Sequence, residues 1–405
     1  MRSFLFSIYL LTSFNLSFSQ SIKLEMSKKD KVPVNIILMI ADGAGLSQIT
    51  ATMYKNGNNL NLEGFKVVGL QKTHSFNSLI TDSAASGTAM ACGIKTLNGA
   101  IGVDIENKPY ESILKICEKK GYNSGMIVTS SIVHATPASF YANVISRSNY
   151  QEIANQLSKS DVDFFIGGGE KYFIKRNDKR NLINEMKDWE FVNGVDEFDS
   201  STSKKVGYFI DYEEPLSLIE GRKPLLDIGL NSILKKLNSR NKPFFLLVEG
   251  SQVDWGGHDN DLEYLTSEYI EFDRAIGVAL KFVEENPNTL LVVTADHETG
   301  GLAITSDQIK KLNSKVRFST KGHTASMVPV FSKGVGSKVF SGIYDNTEIF
   351  YKMMLQIKWL FSSSSQYYII FKFFIIFNNI EKAFNVWICI FILRRIVEIR
   401  FEWFY

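Results

Sequence analysis

The sequence predicts an α/β fold: a central, mostly parallel sheet with helices on both faces. Five short apolar runs predict it, because each reads as a strand buried on both sides. Helical stretches between several of these runs predict it too, because strands alternating with helices favour parallel pairing. A chain of 405 residues is long enough to bury a large core around such a sheet.

The elements follow in order. Residues 1–19 read as a secretory signal: Arg2 gives a positive start, residues 4–11 a short apolar run, and Ser17 and Ser19 the small residues of a cleavage site after Ser19. An uncleaved anchor or a buried first helix is the alternative, but the run is short for a bilayer. The expected location is secreted or periplasmic. The first strand is residues 34–40, and the second is residues 124–129, after a helix over 111–120. Residues 163–167 form the third, 244–248 the fourth after a helix over 225–237, and 290–294 the fifth after a helix over 262–285. The polar stretch 171–211 and the segment 308–322 read as peripheral, and residues 346–357 as a closing amphipathic helix.

Composition excludes several classes. With 22% charged and 45% hydrophobic residues the chain is ordinary for a globular protein, and a net charge of +2 gives no footing for nucleic acid. Cys92, Cys117 and Cys389 are far apart and form no paired motif, so a thiolate zinc site is excluded.

Polar chemistry gathers where strands end. Asp42 follows the first strand, residues 131–136 the second, Glu249 the fourth with Asp254 and His258 beyond it, and Asp296 and His297 the fifth. Ligands of open parallel sheets bind outside the carboxyl ends of the strands, so these residues converge on one edge. Carboxylates and imidazoles are the ligands that zinc and magnesium take. There are five histidines, and His258, His297 and His323 sit beside acidic or glycine-rich residues. Singly each reads as a surface or packed histidine; together, at strand ends, they read as a metal cluster. His74 has no such company and reads as structural. Ser83 opens a run of small residues, 81–89, that looks like a helix start, where free N–H groups favour an anion. Taken alone, tight helix packing is the better reading of these small residues; with a metal cluster nearby, a nucleophile is.

These residues resemble the alkaline phosphatase family. The likeness runs in order from about residue 34 to about 357. It is carried by residues 41–43, the stretch 82–104, His134-Ala135-Thr136-Pro137, Ser146-Arg147, residues 248–250, 254–258, 294–297 and 322–324. The resemblance implies hydrolysis of phosphate monoesters through a phosphoserine at Ser83, with two zinc ions and one magnesium ion. It implies that Arg147 grips two phosphate oxygens, as a planar guanidinium can. It further implies one zinc on Asp254, His258 and His323, a second on Asp42, Asp296, His297 and Ser83, and magnesium on Asp42, Thr136 and Glu249. Nitrogen-rich sets suit zinc and an all-oxygen set suits magnesium. Some bacterial members carry Asp and Lys where this chain has His134 and Trp255, so these two side chains are placed beside the magnesium and the phosphate. Only 25 residues separate His297 from His323, where larger relatives hold a subdomain used in dimers. A homodimer is therefore allowed by the resemblance but not required by the sequence.

Rival readings are a phosphodiesterase or sulfatase of the same superfamily, and a secreted phosphate- or metal-binding protein without turnover. No C-x-P-x-R sulfatase motif is present. Residues 20–357 are the expected catalytic domain. In residues 358–405, fifteen of 48 are aromatic and none is Gly, Pro or Asp. Charges at Lys372, Glu381, Lys382, Arg394 and Arg395 interrupt the apolar runs, so no membrane-spanning segment is expected. This tail reads as sequence appended by frameshift or read-through, or alternatively as an interfacial anchor.

Overall fold

The five apolar runs become five adjacent strands at the middle of one ten-stranded sheet. A computed structural model describes residues 34–305 and 316–357. The expectations for the signal segment, for the aromatic tail and for part of the 308–322 segment lie outside the described residues.

The strands of the main sheet are β1 (Asn35–Ala41), β2 (Val67–Lys72), β3 (Asn123–Ser131), β4 (Phe164–Gly168), β5 (Trp189–Val192), β6 (Lys205–Phe209), β7 (Phe244–Gly250) and β8 (Thr289–Thr294). Short strands β9 (Glu298–Thr299), β10 (Leu302–Ile304), β11 (Val316–Phe318) and β12 (His323–Thr324) pair outside it, and β13 (Val328–Gly334) and β14 (Gly342–Asp345) complete it. The order is β14-β2-β13-β8-β1-β7-β3-β4-β6-β5, and every pairing is parallel except those made by β13.

The longer helices are α1 (Leu46–Lys55), α2 (Ser83–Cys92), α3 (Ile113–Lys119), α4 (Ala135–Tyr141), α5 (Tyr150–Leu157), α6 (Leu226–Ser239), α7 (Gln252–Asp259), α8 (Leu262–Glu285) and α9 (Thr347–Met354). They cover both faces, and the strands show why. Ile36, Leu38 and Ile40 of β1 pack with Met90, Leu114, Phe140 and Ile349 from α2, α3, α4 and α9. The intervening Ile37 and Met39 pack on the other face with Ile49, Ile233, Phe272 and Ile276 from α1, α6 and α8. Side chains alternate between faces with period two, so a strand buried on both must be apolar throughout.

The stretch 171–211, read as peripheral, also contributes two strands of the main sheet, β5 and β6, at one edge. The other side, β13-β2-β14, is likewise absent from the sequence reading. These strands have mixed exposure and no continuous apolar run; β2 mixes exposed, intermediate and buried positions, and β13 contains Pro329.

Candidate active site

The carboxyl ends of β1, β3, β7 and β8 deliver their polar residues to one place. Asp42 leaves β1 and is fully buried. The next residue, Gly43, has φ +76, and a Cβ there would come within 2.7 Å of the Asp254 Cα, so only glycine permits this close crossing of two site loops. Its N–H donates to Asp296 Oδ1 at 3.1 Å, tying the β1 end to the β8 end.

Ser83 is the first residue of α2, and Asp82 is its cap. Asp82 Oδ1 accepts from the Ala85 N–H at 3.0 Å, while Oδ2 accepts from Gly99 N–H and from Arg147 Nη1 at 3.1 Å. One carboxylate thus fixes both the start of the Ser83 helix and the guanidinium. Ser83 is buried, with its Oγ 3.4 Å from His297 Nε2. The packing explanation for the small residues holds as well: a Cβ at Gly87 would meet Ser139 Oγ of α4 at 2.7 Å.

Asp254 and His258 lie four apart on α7, hence on one face, with Oδ2 and Nε2 3.3 Å apart. His258 Nε2 is 3.1 Å from His323 Nε2, and His323 Nε2 is 3.6 Å from Asp254 Oδ1. Backbone carbonyls of Lys321 and Thr81 meet the Nδ1 atoms of His258 and His323, which directs both Nε2 atoms inward. His297 Nε2 lies 3.1 Å from Asp296 Oδ2 and 3.5 Å from Asp42 Oδ1. His297 and His323 stack with centroids 3.6 Å apart.

Three groups of donors have atoms within 4.8 Å of one another: Asp254, His297 and His323; Asp42, Asp296 and His297; and Asp42, His134 and Glu249. Both oxygens of Asp42, both of Glu249, Thr136 Oγ1 and His134 Nδ1 are buried without a hydrogen-bond partner. Leaving so many polar atoms unsatisfied is costly, and cations would satisfy them. The donor set therefore fits metal ions.

The electrostatics agree. Burial, then the neighbouring carboxylates, pushes Asp42 well above the usual range; burial pushes Glu249 up to about 8 and Asp296 up to about 6. Asp254 is held low despite its burial, because it bonds His258 and faces two further imidazoles. Its hydrogen bond in turn raises His258 to about 9. Burial drives His297 well below its ordinary value.

His134 and Trp255 flank this cluster edge-on, centroids 6.1 Å apart, and Arg147 Nη2 is 3.2 Å from His134 Nε2. Desolvation of the ring, helped by the Arg147 charge, pushes His134 down to about 3, so a neutral imidazole accepts from the guanidinium. The expected site residues are thus brought together, and His74 is not among them: its Nε2 pairs with Asp345 at 3.0 Å. Thr299 was missed. Its hydroxyl bonds Asp254 Oδ1 and lies 3.2 Å from His297 Nδ1, joining two ligand candidates; a lone threonine after a strand carries no sequence signal for this. Asp82 carried one, as an N-cap residue before a small-residue helix.

Comparison with known proteins places these observations. The family model for alkaline phosphatase matches residues 34–312. Alkaline phosphatase 4 of Bacillus subtilis is 36% identical over 352 residues, covering 82% of this chain and 76% of the relative. The Escherichia coli alkaline phosphatase is 28% identical, covering 82% and 88%. The solved alkaline phosphatase of the Antarctic bacterium TAB5 superposes with a TM-score of 0.77 at 43% identity, over 81% of this chain and 99% of that one. A histidine-to-glutamate variant of the TAB5 enzyme, solved with magnesium bound, matches equally at 0.77 and 41% identity, with the same coverage.

Proposed function

The chain belongs to the alkaline phosphatase family, enzymes that hydrolyse phosphate monoesters, and from that premise we propose that it acts through a phosphoserine at Ser83 beside two zinc ions and one magnesium ion. The observation that carries this reading is the convergence of Ser83 with buried, unpartnered ligand atoms at the strand ends.

In this reading Asp254, His258 and His323 hold one zinc, Asp42, Asp296 and His297 the other with Ser83, and Asp42, Thr136 and Glu249 the magnesium. Bound there, the metals supply Lewis-acid stabilisation of charge on the phosphoryl and leaving oxygens and make water and the serine hydroxyl more acidic. The chain does the rest. Asp82 holds Ser83 at the helix start, whose free N–H groups face a phosphoryl anion. Ser83 Oγ attacks phosphorus, the P–O bond to the alcohol breaks, and water later releases phosphate and restores the serine. Arg147, oriented by Asp82, grips two non-bridging oxygens and keeps the phosphate in line. His134 and Trp255 border the phosphate and the magnesium. Thr136, Glu249 and Arg147 together favour a monoester over a diester. Residues 1–19 support export, to a secreted or periplasmic location.

Ser83→Ala tests the reading. Turnover of a chromogenic phosphate monoester should fall by ~10³-fold or more with bound metal content unchanged. Acid quenching with labelled phosphate should trap label on the wild-type chain and none on the variant. Wild-type turnover in the variant would remove Ser83 as nucleophile.

A further inference from the structure

We propose that Ser86 and Asn346 are positioning residues for Ser83, holding the nucleophile helix in register with the Asp296–His297 loop. The inference rests on the reading of Ser83 as nucleophile.

Ser86 lies one turn after Ser83 on α2 and is fully buried. Residues three apart on a helix share a face, so whatever fixes Ser86 fixes the azimuth of Ser83. The Ser86 hydroxyl donates to the Asp296 backbone carbonyl at 2.7 Å. That peptide runs into His297, whose own N–H is held by Asp296 Oδ1 at 2.9 Å. The helix carrying Ser83 and the loop carrying His297 are therefore joined one step away from the 3.4 Å approach of Ser83 Oγ to His297 Nε2.

Asn346 decides which way the Ser86 proton points. The residue joins β14 to α9 in the chain and is fully buried. Asn346 Oδ1 is committed to the Lys95 ammonium at 2.7 Å. The amide nitrogen must then face the other way, where it donates to Thr73 O at 3.2 Å and to Ser86 Oγ at 3.4 Å. A hydroxyl that accepts from an amide keeps its own proton for another acceptor, here the Asp296 carbonyl. Lys95 is fixed in turn by Asp345 at 2.9 Å and by the carbonyl of His74. Asn346 N–H donates to Lys72 O at 3.1 Å, anchoring the assembly on β2. Ser86 is thus gripped directly by Asp296 and Asn346, and through Asn346 by Lys95 and the end of β2.

The test compares Ser86→Ala and Asn346→Asp, the second nearly isosteric but unable to donate to Ser86. In the metal-loaded full-length chain each should lower kcat about tenfold to a hundredfold, the scale set by small misplacements of a reacting group. KM should stay within about twofold, since phosphate binding groups are untouched. The double variant should be no slower than the slower single one, because both act through one hydrogen bond. Melting temperatures are read alongside, and Ser83→Ala is assayed in parallel. Wild-type kcat in both single variants, a fall that merely follows the unfolded fraction, or losses that multiply would each overturn the proposal. If Ser83→Ala itself retains turnover, the nucleophile assignment fails instead; if that variant is dead and the other two are unimpaired, only the positioning role fails.

Discussion

His134 marks the sharpest choice this chain makes at a single position. Its ring nitrogen is grouped with Asp42 and Glu249, but a neutral imidazole is a poor partner for a hard cation. His134→Asp should lower the magnesium concentration for half-saturation by about tenfold, equivalent to roughly 1.4 kcal/mol, as read by titrating the metal-stripped enzyme. Trp255→Lys should tighten inhibition by inorganic phosphate, because it adds a cation beside His134. Unmoved constants in both variants would mean that these side chains do not face the ions. Residues such as Asp42, Glu249, Asp254 and Asp296 were legible because their chemistry sits at the ends of obvious strands. The bonds made by Thr299 and Asn346 were not, because the partners lie 45 and 260 residues away.

Among the elements, α3 and β3 meet through an acid that the mechanism does not use. Glu118 accepts from Ser124 Oγ at 2.6 Å, and burial pushes its carboxyl up to about 7 from 4.5. A folded pKa above the unfolded one means the native state holds the proton more tightly. This contribution is complete below about pH 4.5 and is lost as pH rises through about 7, by up to roughly 3 kcal/mol. Glu118→Gln, which stays neutral, should therefore raise the melting temperature above pH 8 and leave it little changed at pH 4.5. An equal shift at both pH values would show that charge is not the cause. The same scale explains which strands could be read. β8-β1-β7-β3-β4 are buried on both faces and declare themselves as apolar runs, whereas β14-β2-β13 and β6-β5 have partly exposed faces and dilute that signal.

For the whole molecule, the decisive feature is how much negative charge the sheet edge gathers. Asp42, Glu249, Asp254 and Asp296 are all buried there, with Arg147 and the raised His258 as the cations beside them. Ions bound only by the native state stabilise it, by about 4 kcal/mol when free metal is a thousandfold above its dissociation constant. Exhaustive chelation should abolish turnover and lower the melting temperature by several degrees, and adding zinc and magnesium back should restore both. Full activity in a chelated, metal-free sample would end the metal-dependent reading. Among the described residues no helix is long and apolar enough to cross a membrane.

The central place of β1 bears on how the protein is made. It is the first of the described strands to be synthesised, yet Ile36 aligns with Phe245 on one side and Leu290 on the other, so it waits for about 200 residues before its first neighbour exists. At ordinary synthesis rates of about 5–20 residues per second, a strand apolar from Ile36 to Ala41 stays unpaired for about ten seconds or more. A nascent chain halted before Thr289 would carry Asp42 and Ser83 but neither Asp296 nor His297, and would hold no finished metal site. The strand-end cluster comes together only after β8 has slid in beside β1 and His323 has followed it, so the residues made first wait on residues far downstream for their site.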